Sequence, residues 1–293
     1  MFRGSIVAIV TPFRDGQVDQ STLEKLVEMH VAAGTAGIVP CGTTGESATL
    51  SHQEHERVIE CVVKKVDGRI PVIAGTGSNS TAEAIRLTKF AEKAGADGAL
   101  LIAPYYNRPS QEGLYRHFMA IADAVSIPLV LYNIPSRTGV NIELETFKRL
   151  AEHDNIVAVK EASGKLDLSA QILRETDLVV LSGDDSLTLP LLALGGAGVI
   201  SVAANVVPRS MADLVDFFAE GNLPEARKVF YKLFPLFKAL FVEVNPVPVK
   251  HALGRAGVMS PEVRLPLAPL TEASARKLEK VLDEVGLELD LLQ

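Results

Sequence analysis

Short apolar runs recur along the chain, and within each run apolar and polar residues do not alternate. Each run is rich in Val, Ile and Leu, and Gly or Pro bounds it on at least one side. A parallel strand that is buried on both faces has this composition, whereas a half-exposed strand alternates. The pattern therefore predicts eight buried parallel strands, at residues 5–11, 36–41, 71–75, 99–103, 128–132, 156–160, 178–182 and 199–202.

The segments between these strands are predicted to be helices. Residues 21–24 and 51–54 each resemble a capping box, and Thr81 begins a further helix. Strand starts lie roughly 20 to 35 residues apart, the length of one βα unit. Eight units of similar size favour an α/β fold of the closed (β/α)8 TIM barrel type. The alternative is a doubly wound open sheet, but no Gly-x-Gly-x-x-Gly follows the first strand.

The pattern changes after Pro208, where strand-like runs stop. Helical periodicity continues through residues 210–220, 223–241, 246–257 and 272–286. The first of these helices completes the eighth βα unit. We therefore expect a catalytic barrel of residues 1–222 and a C-terminal helical extension of residues 223–293.

Composition narrows the range of partners. The 29 Lys and Arg against 36 Asp and Glu give a net charge of −7, and Trp is absent. This argues against nucleic acid or an anionic membrane surface as a partner. No apolar stretch reaches the ~20 residues that span a bilayer. Two cysteines are too few for a secreted disulfide scaffold, so we expect a cytoplasmic protein that acts on small molecules.

Lys160 is the strongest candidate for a catalytic residue. In a barrel the active site lies at the carboxyl ends of the strands, and Lys160 ends the sixth strand after four apolar residues. Burial there disfavours the ammonium form and lowers the pKa toward a free amine, as a Schiff base with a carbonyl substrate requires. The alternatives are an ion pair with Glu161 or a role as a cation that binds substrate.

Tyrosines and hydroxyls accompany this lysine. Three of the five tyrosines, Tyr105, Tyr106 and Tyr132, lie at the ends of two adjacent predicted strands. A phenol linked to hydroxyls such as those of Thr43 and Thr44 could shuttle protons near an imine. The alternative is that tyrosine is simply common at strand ends, where one end of the ring is buried and the other is wet.

The remaining candidates are weaker when taken alone. Arg137 follows Tyr132 and could bind a carboxylate with two hydrogen bonds, although it could also be a surface arginine. His52 and His55 lie three residues apart without a third metal ligand, so no metal site is expected. Cys41 ends a strand and is expected to be a small buried side chain.

Taken together, the motifs resemble a known family. Residues 42–46 (GTTGE), 132–139 (YNIPSRTG) and 160–164 (KEASG), with 104–109 and 245–250, are similar to the class I pyruvate-dependent aldolases and lyases of the N-acetylneuraminate lyase group. Within this group the chain most resembles the dihydrodipicolinate synthase family, and the likeness runs from Gly4 to the C-terminal helices.

The resemblance implies a lyase that condenses pyruvate with L-aspartate 4-semialdehyde, the committing step of lysine and diaminopimelate biosynthesis. It implies a covalent imine on Lys160 with no cofactor or metal. Tyr132 is then the general acid/base, and Thr43 links it to Tyr106 of a neighbouring subunit. Such an arrangement needs at least a dimer, and a dimer-of-dimers homotetramer is usual in the family.

The resemblance also assigns binding residues. Thr44, Gly183 and Ile200 correspond to positions that line the pyruvate site, and Arg137 corresponds to the residue that holds the semialdehyde carboxylate. A sugar-acid aldolase of the same group and a barrel without catalysis stay open as alternatives. Family members that L-lysine inhibits bind it at a dimer interface, and the matching positions here are Ala48, His52, His55, Asn79, Glu83 and Tyr105.

Overall fold

The computed structural model of the chain describes residues 2–286, and its centre is an eight-stranded parallel barrel. The strands are β1 (Gly4–Ala8), β2 (Phe13–Arg14), β3 (Gln17–Val18), β4 (Gly37–Val39), β5 (Ile73–Gly75), β6 (Gly98–Ile102), β7 (Leu129–Asn133), β8 (Ile156–Glu161), β9 (Val179–Ser182) and β10 (Gly198–Ser201). The barrel strands pair in the order β4-β1-β10-β9-β8-β7-β6-β5. Every pairing in that sheet is parallel.

The two ends of this sheet meet, so it is nearly closed. A parallel bridge joins Ile38 to Val72, and the Gly75 amide donates to the Pro40 carbonyl at 2.9 Å. The prediction of a (β/α)8 barrel is confirmed, and all eight predicted strands are present within a few residues of their expected bounds.

Helices surround the barrel in alternation with its strands. They are α1 (Gln20–Ala32), α2 (His52–Val66), α3 (Thr81–Ala94), α4 (Gln111–Ala122), α5 (Pro135–Thr138), α6 (Leu144–Leu150), α7 (Leu166–Glu175), α8 (Thr188–Ala193), α9 (Pro208–Ala219), α10 (Leu223–Ala239), α11 (Val247–Arg255) and α12 (Glu272–Val285). No helix within residues 2–286 is long and apolar enough to cross a membrane.

Strand alternation separates an inner from an outer core. Val130, Tyr132 and Ala158 belong to the cluster inside the barrel, whereas Leu131 and Val159 pack with the surrounding helices. Successive side chains of a strand point to opposite faces, so residues of one parity line the interior. This periodicity decides which polar residues at the strand ends can enter the active site.

Two local predictions differ from the structure. The capping box at residues 51–54 is present, but the one at 21–24 is wrong because Asp19 caps α1 instead, accepting from the Thr22 amide. Strands β2 and β3 form an antiparallel hairpin that the pattern of long apolar runs missed. Its turn is Asp15-Gly16, with φ of 53° and 77°, and Asp-Gly is a strong hairpin signal.

The last helices pack against the barrel. Phe230, Leu233 and Phe237 of α10 and Leu278 of α12 belong to the same buried cluster as Val7 of β1. The division into a barrel of residues 1–222 and an extension of residues 223–293 stays a prediction. Residues 287–293 of that extension lie outside the described residues.

Candidate active site

Lys160 and Tyr132 are neighbours at the carboxyl end of the barrel. They pair in register across β7 and β8, and both side chains point inward with the parity of Val130 and Ala158. The Lys160 Nζ lies 4.4 Å from the centre of the Tyr132 ring. Lys160 is 5% exposed and Tyr132 is 6% exposed. An amine and a phenol therefore share one nearly dry cavity.

The surroundings of Lys160 favour its neutral form. Burial lowers the pKa of Lys160 to about 8, with the Asp185 carboxylate acting against this shift and Arg137 adding to it. No carboxylate within residues 2–286 lies within 4.0 Å of the Lys160 amine in an ion pair. An amine with this pKa is partly unprotonated near neutral pH and can act as a nucleophile.

The alternative of a Lys160–Glu161 ion pair is wrong. Glu161 has the parity of Val159 and points away from the interior, where its carboxylate accepts from Asn133 Nδ2 at 2.9 Å and from the Ser163 amide at 2.6 Å. Adjacent residues of a strand cannot both face the barrel interior. Burial raises the pKa of Glu161.

The Thr43 hydroxyl lies near the phenol of Tyr132. Burial raises the pKa of Tyr132 to about 12, although Arg137 and the Thr43 hydroxyl oppose the shift. The phenol therefore stays protonated at neutral pH and can donate a proton. Two residues before Thr43, Cys41 is buried as expected, and burial raises the pKa of its thiol.

Thr44 and Arg137 are joined by a residue from the C-terminal extension. Asn245 Nδ2 donates to Thr44 Oγ1 at 3.0 Å, and Arg137 Nη2 donates to the Asn245 carbonyl at 3.4 Å. Thr44 is buried, whereas Arg137 is exposed at the mouth of the barrel. Sequence reasoning gave Asn245 no role, because nothing local marks a contact that spans 201 residues.

Gly183 and Ile200 lie beside Lys160. A Cβ on Gly183 would lie 3.1 Å from Lys160 Cε and 2.6 Å from the Cβ of Ala162, so only glycine leaves the lysine stem its place. Ile200 is 1% exposed and belongs to the inner cluster that contains Tyr132. Both predicted residues thus border the cavity of Lys160.

Tyr106 stands apart from the other predicted residues. Its side chain is 89% exposed, and its φ of 73° is in the left-handed region, which costs energy for a bulky residue. Nearby Asn107 Nδ2 donates to the Asn79 carbonyl, and Arg108 Nε donates to the Gly139 carbonyl. The two residues after Tyr106 are thus anchored to neighbouring loops, while the Tyr106 ring itself points to the outside.

Two of the six predicted lysine-binding residues, His52 and Glu83, meet near the N-termini of α2 and α3. His52 Nε2 lies 3.3 Å from Glu83 Oε1, and its Nδ1 contacts Arg86 at 2.8 Å. His55 is buried and bonds to the Gly75 carbonyl at 2.7 Å, and burial lowers its pKa. Within residues 2–286, no three His, Cys, Asp or Glu side chains are grouped so as to hold a metal ion.

A buried ion pair supports the Thr43-Thr44 loop. Lys250 of α11 donates to Glu46 at 2.5 Å, and their side chains are 0% and 1% exposed. The Lys250 amine also lies 4.1 Å from the centre of the Phe13 ring in β2. Arg264 completes the cluster, because its amide donates to the second Glu46 oxygen at 3.1 Å and its guanidinium pairs with Glu54.

Comparison with known proteins places this site in a family. The chain matches the Dihydrodipicolinate synthetase family over residues 1–285. It is 60% identical over 289 residues to the 4-hydroxy-tetrahydrodipicolinate synthase of Syntrophus aciditrophicus. The matched region covers 98% of this chain and 99% of that protein.

Two solved structures are also similar. One is the chloride-inhibited dihydrodipicolinate synthase of Acinetobacter baumannii in complex with pyruvate, with a TM-score of 0.96, 47% identity and coverage of 98% of this chain and 100% of that chain. The other is the enzyme of Cyanidioschyzon merolae with lysine bound, with a TM-score of 0.94, 45% identity and coverage of 97% and 98%. The chain therefore belongs to the dihydrodipicolinate synthetase family.

Proposed function

We propose that this protein is a lyase that condenses pyruvate with L-aspartate 4-semialdehyde to 4-hydroxy-tetrahydrodipicolinate, the committing step of lysine and diaminopimelate biosynthesis. The observation that carries the proposal is the buried pair of Lys160 and Tyr132, with 4.4 Å between the amine and the ring centre. Relatives of 56–60% identity carry the name of this activity, and one solved relative holds pyruvate.

Lys160 is the nucleophile in this mechanism. Its free amine attacks the C2 carbonyl of pyruvate, and loss of water from the carbinolamine gives a protonated imine. Loss of a C3 proton then gives the enamine, whose C3 attacks the aldehyde carbon of the second substrate. The amino group of that substrate then attacks the imine carbon and displaces the Lys160 amine, which closes the ring and frees the enzyme. Since the imine is covalent and forms on a side chain, the reaction as proposed needs no cofactor or metal.

Tyr132 moves the protons. With a pKa of about 12 the phenol is protonated at neutral pH and lies beside the amine, so it can protonate the departing hydroxyl of the carbinolamine. Thr43 lies near this phenol and passes the proton onward, and Tyr106 of a second subunit is the next member of the relay.

Binding residues surround this chemistry. Thr44 Oγ1 already accepts a hydrogen bond from Asn245, which leaves the hydroxyl proton of Thr44 free to be donated to the pyruvate carboxylate. Gly183 and Ile200 shape the pocket around the lysine stem. Arg137 at the mouth binds the carboxylate of the semialdehyde with two hydrogen bonds.

Steady-state assays with both kinds of second substrate test the proposal. Purified protein is expected to consume pyruvate in the presence of L-aspartate 4-semialdehyde and to have little activity on 2-keto-3-deoxy sugar acids. The reverse preference would establish a sugar-acid aldolase instead. Absence of both activities, in protein whose Lys160 also resists reduction with borohydride and pyruvate, would indicate a barrel without catalysis.

We further propose that the active unit is at least a dimer, and a homotetramer built as a dimer of dimers. An aromatic ring 89% exposed at a left-handed backbone position is costly unless another surface covers it. Leu194, directly after α8, and Tyr231 of α10 are 45% and 71% exposed and offer apolar surface for a second contact. Sedimentation of the full chain measures this state.

L-lysine is the proposed feedback inhibitor, and its proposed site comprises Ala48, His52, His55, Asn79, Glu83 and Tyr105. Glu83 offers a carboxylate for an amino group, and a solved relative contains bound lysine. We place the protein in the cytoplasm, where both of its free cysteines stay reduced.

The lysine site is tested by titration of L-lysine into the assay. The wild-type protein is expected to lose most of its activity at millimolar lysine, and Glu83→Ala is expected to raise the half-inhibitory concentration at least about tenfold, since the half-buried carboxylate that pairs with the ammonium of lysine is lost. Glu92→Ala, on the far end of α3, is the control. A flat response of the wild type would refute the inhibition.

A further inference from the structure

Two buried polar residues, Asn133 and Glu161, have no role in the mechanism above. They directly follow Tyr132 and Lys160 in the chain, and they pair in register across β7 and β8. Successive side chains of a strand point to opposite faces, so this outer pair lies on the outside of the barrel while its neighbours face the cavity. Asn133 is 0% exposed and Glu161 is 5% exposed. Whatever fixes the outer pair therefore also fixes the two residues of the cavity.

Hydrogen bonds fix the outer pair on both strands. Asn133 Nδ2 donates to Glu161 Oε2 at 2.9 Å and to Asn141 Oδ1 at 3.0 Å. Asn133 Oδ1 accepts from the Ile142 amide at 3.1 Å. The other oxygen of the Glu161 carboxylate accepts from the Ser163 amide at 2.6 Å. Each side chain thus ties its strand end to the loop that follows, and one bond joins the two strands.

The cost of burying this pair argues for a role beyond stability. Its neighbours on the outer face, Leu131 and Val159, are apolar and pack with the surrounding helices. A buried carboxylate is costly there, and burial raises the pKa of Glu161. Among residues 2–286 no cation pairs with it within 4.0 Å, and Lys165, which acts on it from farther away, is exposed. Apolar residues would cost less to bury, whereas a hydrogen-bonded pair fixes one geometry.

An irregularity between the two strands makes that geometry important. The pairing of β7 with β8 shifts register between Leu129 and Val130, where β8 has one additional residue. That residue, Val157, packs toward the inner cluster, as does its neighbour Ala158. A shift of one residue exchanges the faces of the side chains that follow, and bulges often re-aim a side chain beside an active site. The outer pair lies beyond the shift, and its bond forms in the register that sends Lys160 inward.

We propose that Asn133 and Glu161 are positioning residues, whose hydrogen bond on the outer face holds the Lys160 amine in the place that imine formation needs. The inference rests on the imine chemistry proposed above. Both side chains point away from the cavity, so they act through Lys160 and Tyr132, their neighbours on the strands. A misplacement of about 1 Å can lower a rate by about 10²-fold, and a bond that joins the two strand ends prevents such a misplacement.

A reciprocal exchange of the two side-chain groups tests the bond. Glu161→Gln keeps the shape but sets an amide against two donors, those of Asn133 and Ser163, so one bond is lost. Asn133→Asp sets two carboxylates against each other and removes the same bond. In Asn133→Asp/Glu161→Gln the introduced amide donates to the introduced carboxylate, and its oxygen accepts from Ser163. The bond between the strands is thus restored with donor and acceptor exchanged, at the net charge of the wild type.

The measurement is the single-turnover rate of imine formation with pyruvate at pH 9, where carboxyl groups are ionised. Samples are quenched with borohydride at successive times, and the reduced adduct on Lys160 is quantified by mass spectrometry. At saturating pyruvate we expect each single variant to be slower than the wild type by about tenfold or more. The double variant is expected to return to within about threefold, since it still lacks the bond to Asn141. Half-saturating pyruvate is expected to change by less than about threefold, because Thr44 follows a different strand.

Asn155→Asp is the matched control. Asn155 directly precedes β8 at the opposite end of the barrel, and its Nδ2 donates to the Val125 carbonyl, ahead of β7, at 2.6 Å. The same kind of substitution therefore breaks a bond between the same two parts of the chain, far from the cavity. We expect a lower midpoint of urea unfolding and a wild-type rate of imine formation in the folded protein. This separates a loss of stability from a loss of position.

Three results would each overturn the proposal: a wild-type rate in folded Glu161→Gln, a double variant as slow as the single variants, or an equally slow Asn155→Asp. If Glu161→Gln does not fold, Asn141→Ala weakens the outer pair from its half-buried edge and is expected to slow imine formation by about threefold. An unchanged rate in that variant would also overturn the proposal. A wild type that forms no reduced adduct on Lys160 would refute the proposed function itself, and this inference with it.

Discussion

Lys160→Ala is expected to lower kcat for the condensation by about 10⁴-fold or more, as loss of a covalent nucleophile does in other enzymes. The amine is buried in the barrel interior beside Tyr132, and the other buried lysine of residues 2–286, Lys250, is paired with Glu46. Without it the enamine cannot form. The measurement is the steady-state assay with both substrates, together with borohydride trapping of pyruvate.

Lys165→Ala is the matched control for this experiment. Lys165 caps α7 in the same strand-to-helix loop but is exposed, so its variant is expected to retain wild-type kcat and to be trapped at Lys160. If Lys160→Ala retained more than about 1% of wild-type activity, the loss would be far smaller than expected, and the reaction could not pass through an imine on this residue.

The sequence alone was sufficient for the barrel and for placing Lys160 and Tyr132 close together inside it. Continuous apolar runs identify strands buried on both faces, and these runs end in polar residues at the active-site mouth. Lys160 and Tyr132 end consecutive barrel strands, so adjacency in sequence order became adjacency in space. The Lys160–Glu161 alternative could have been rejected as well, because strand parity sends the two side chains in opposite directions.

Other parts of the site depend on contacts that no local pattern marks. Asn245 meets Thr44 across 201 residues, and Lys250 meets Glu46 across 204. Both come from the C-terminal extension, whose periodicity predicts helices but not where they dock. Asp185 was visible only as one of two acidic residues after β9, and no local pattern marks its bonds to Ser201 and to the amides of Val202 and Ala203. Tyr106 acquires its proposed partner only when a second chain is present.

Lys250→Met is expected to destabilise the fold by about 3–5 kcal/mol, because it leaves the Glu46 carboxylate buried without its cation. The pair is fully enclosed, with side chains 0% and 1% exposed, and it connects α11 to the loop that carries Thr43 and Thr44. The Arg264 amide still donates to Glu46, but a single amide does not replace an ammonium. The midpoint of urea unfolding measures the loss, and kcat is expected to fall as well because the loop loses its support.

The double variant Glu46→Gln/Lys250→Met separates an unpaired charge from a loss of packing. If the cost is the buried carboxylate, removing that charge restores most of the stability, and the double variant unfolds at a higher urea concentration than Lys250→Met alone. An equal or lower midpoint would show that the lysine stem and its contact with Phe13 stabilise the site instead. Lys228→Met, which breaks the exposed pair with Glu225, is the control and is expected to change stability by less than about 0.5 kcal/mol. A comparable loss of stability in Lys228→Met would mean that replacing any lysine, buried or exposed, destabilises the protein.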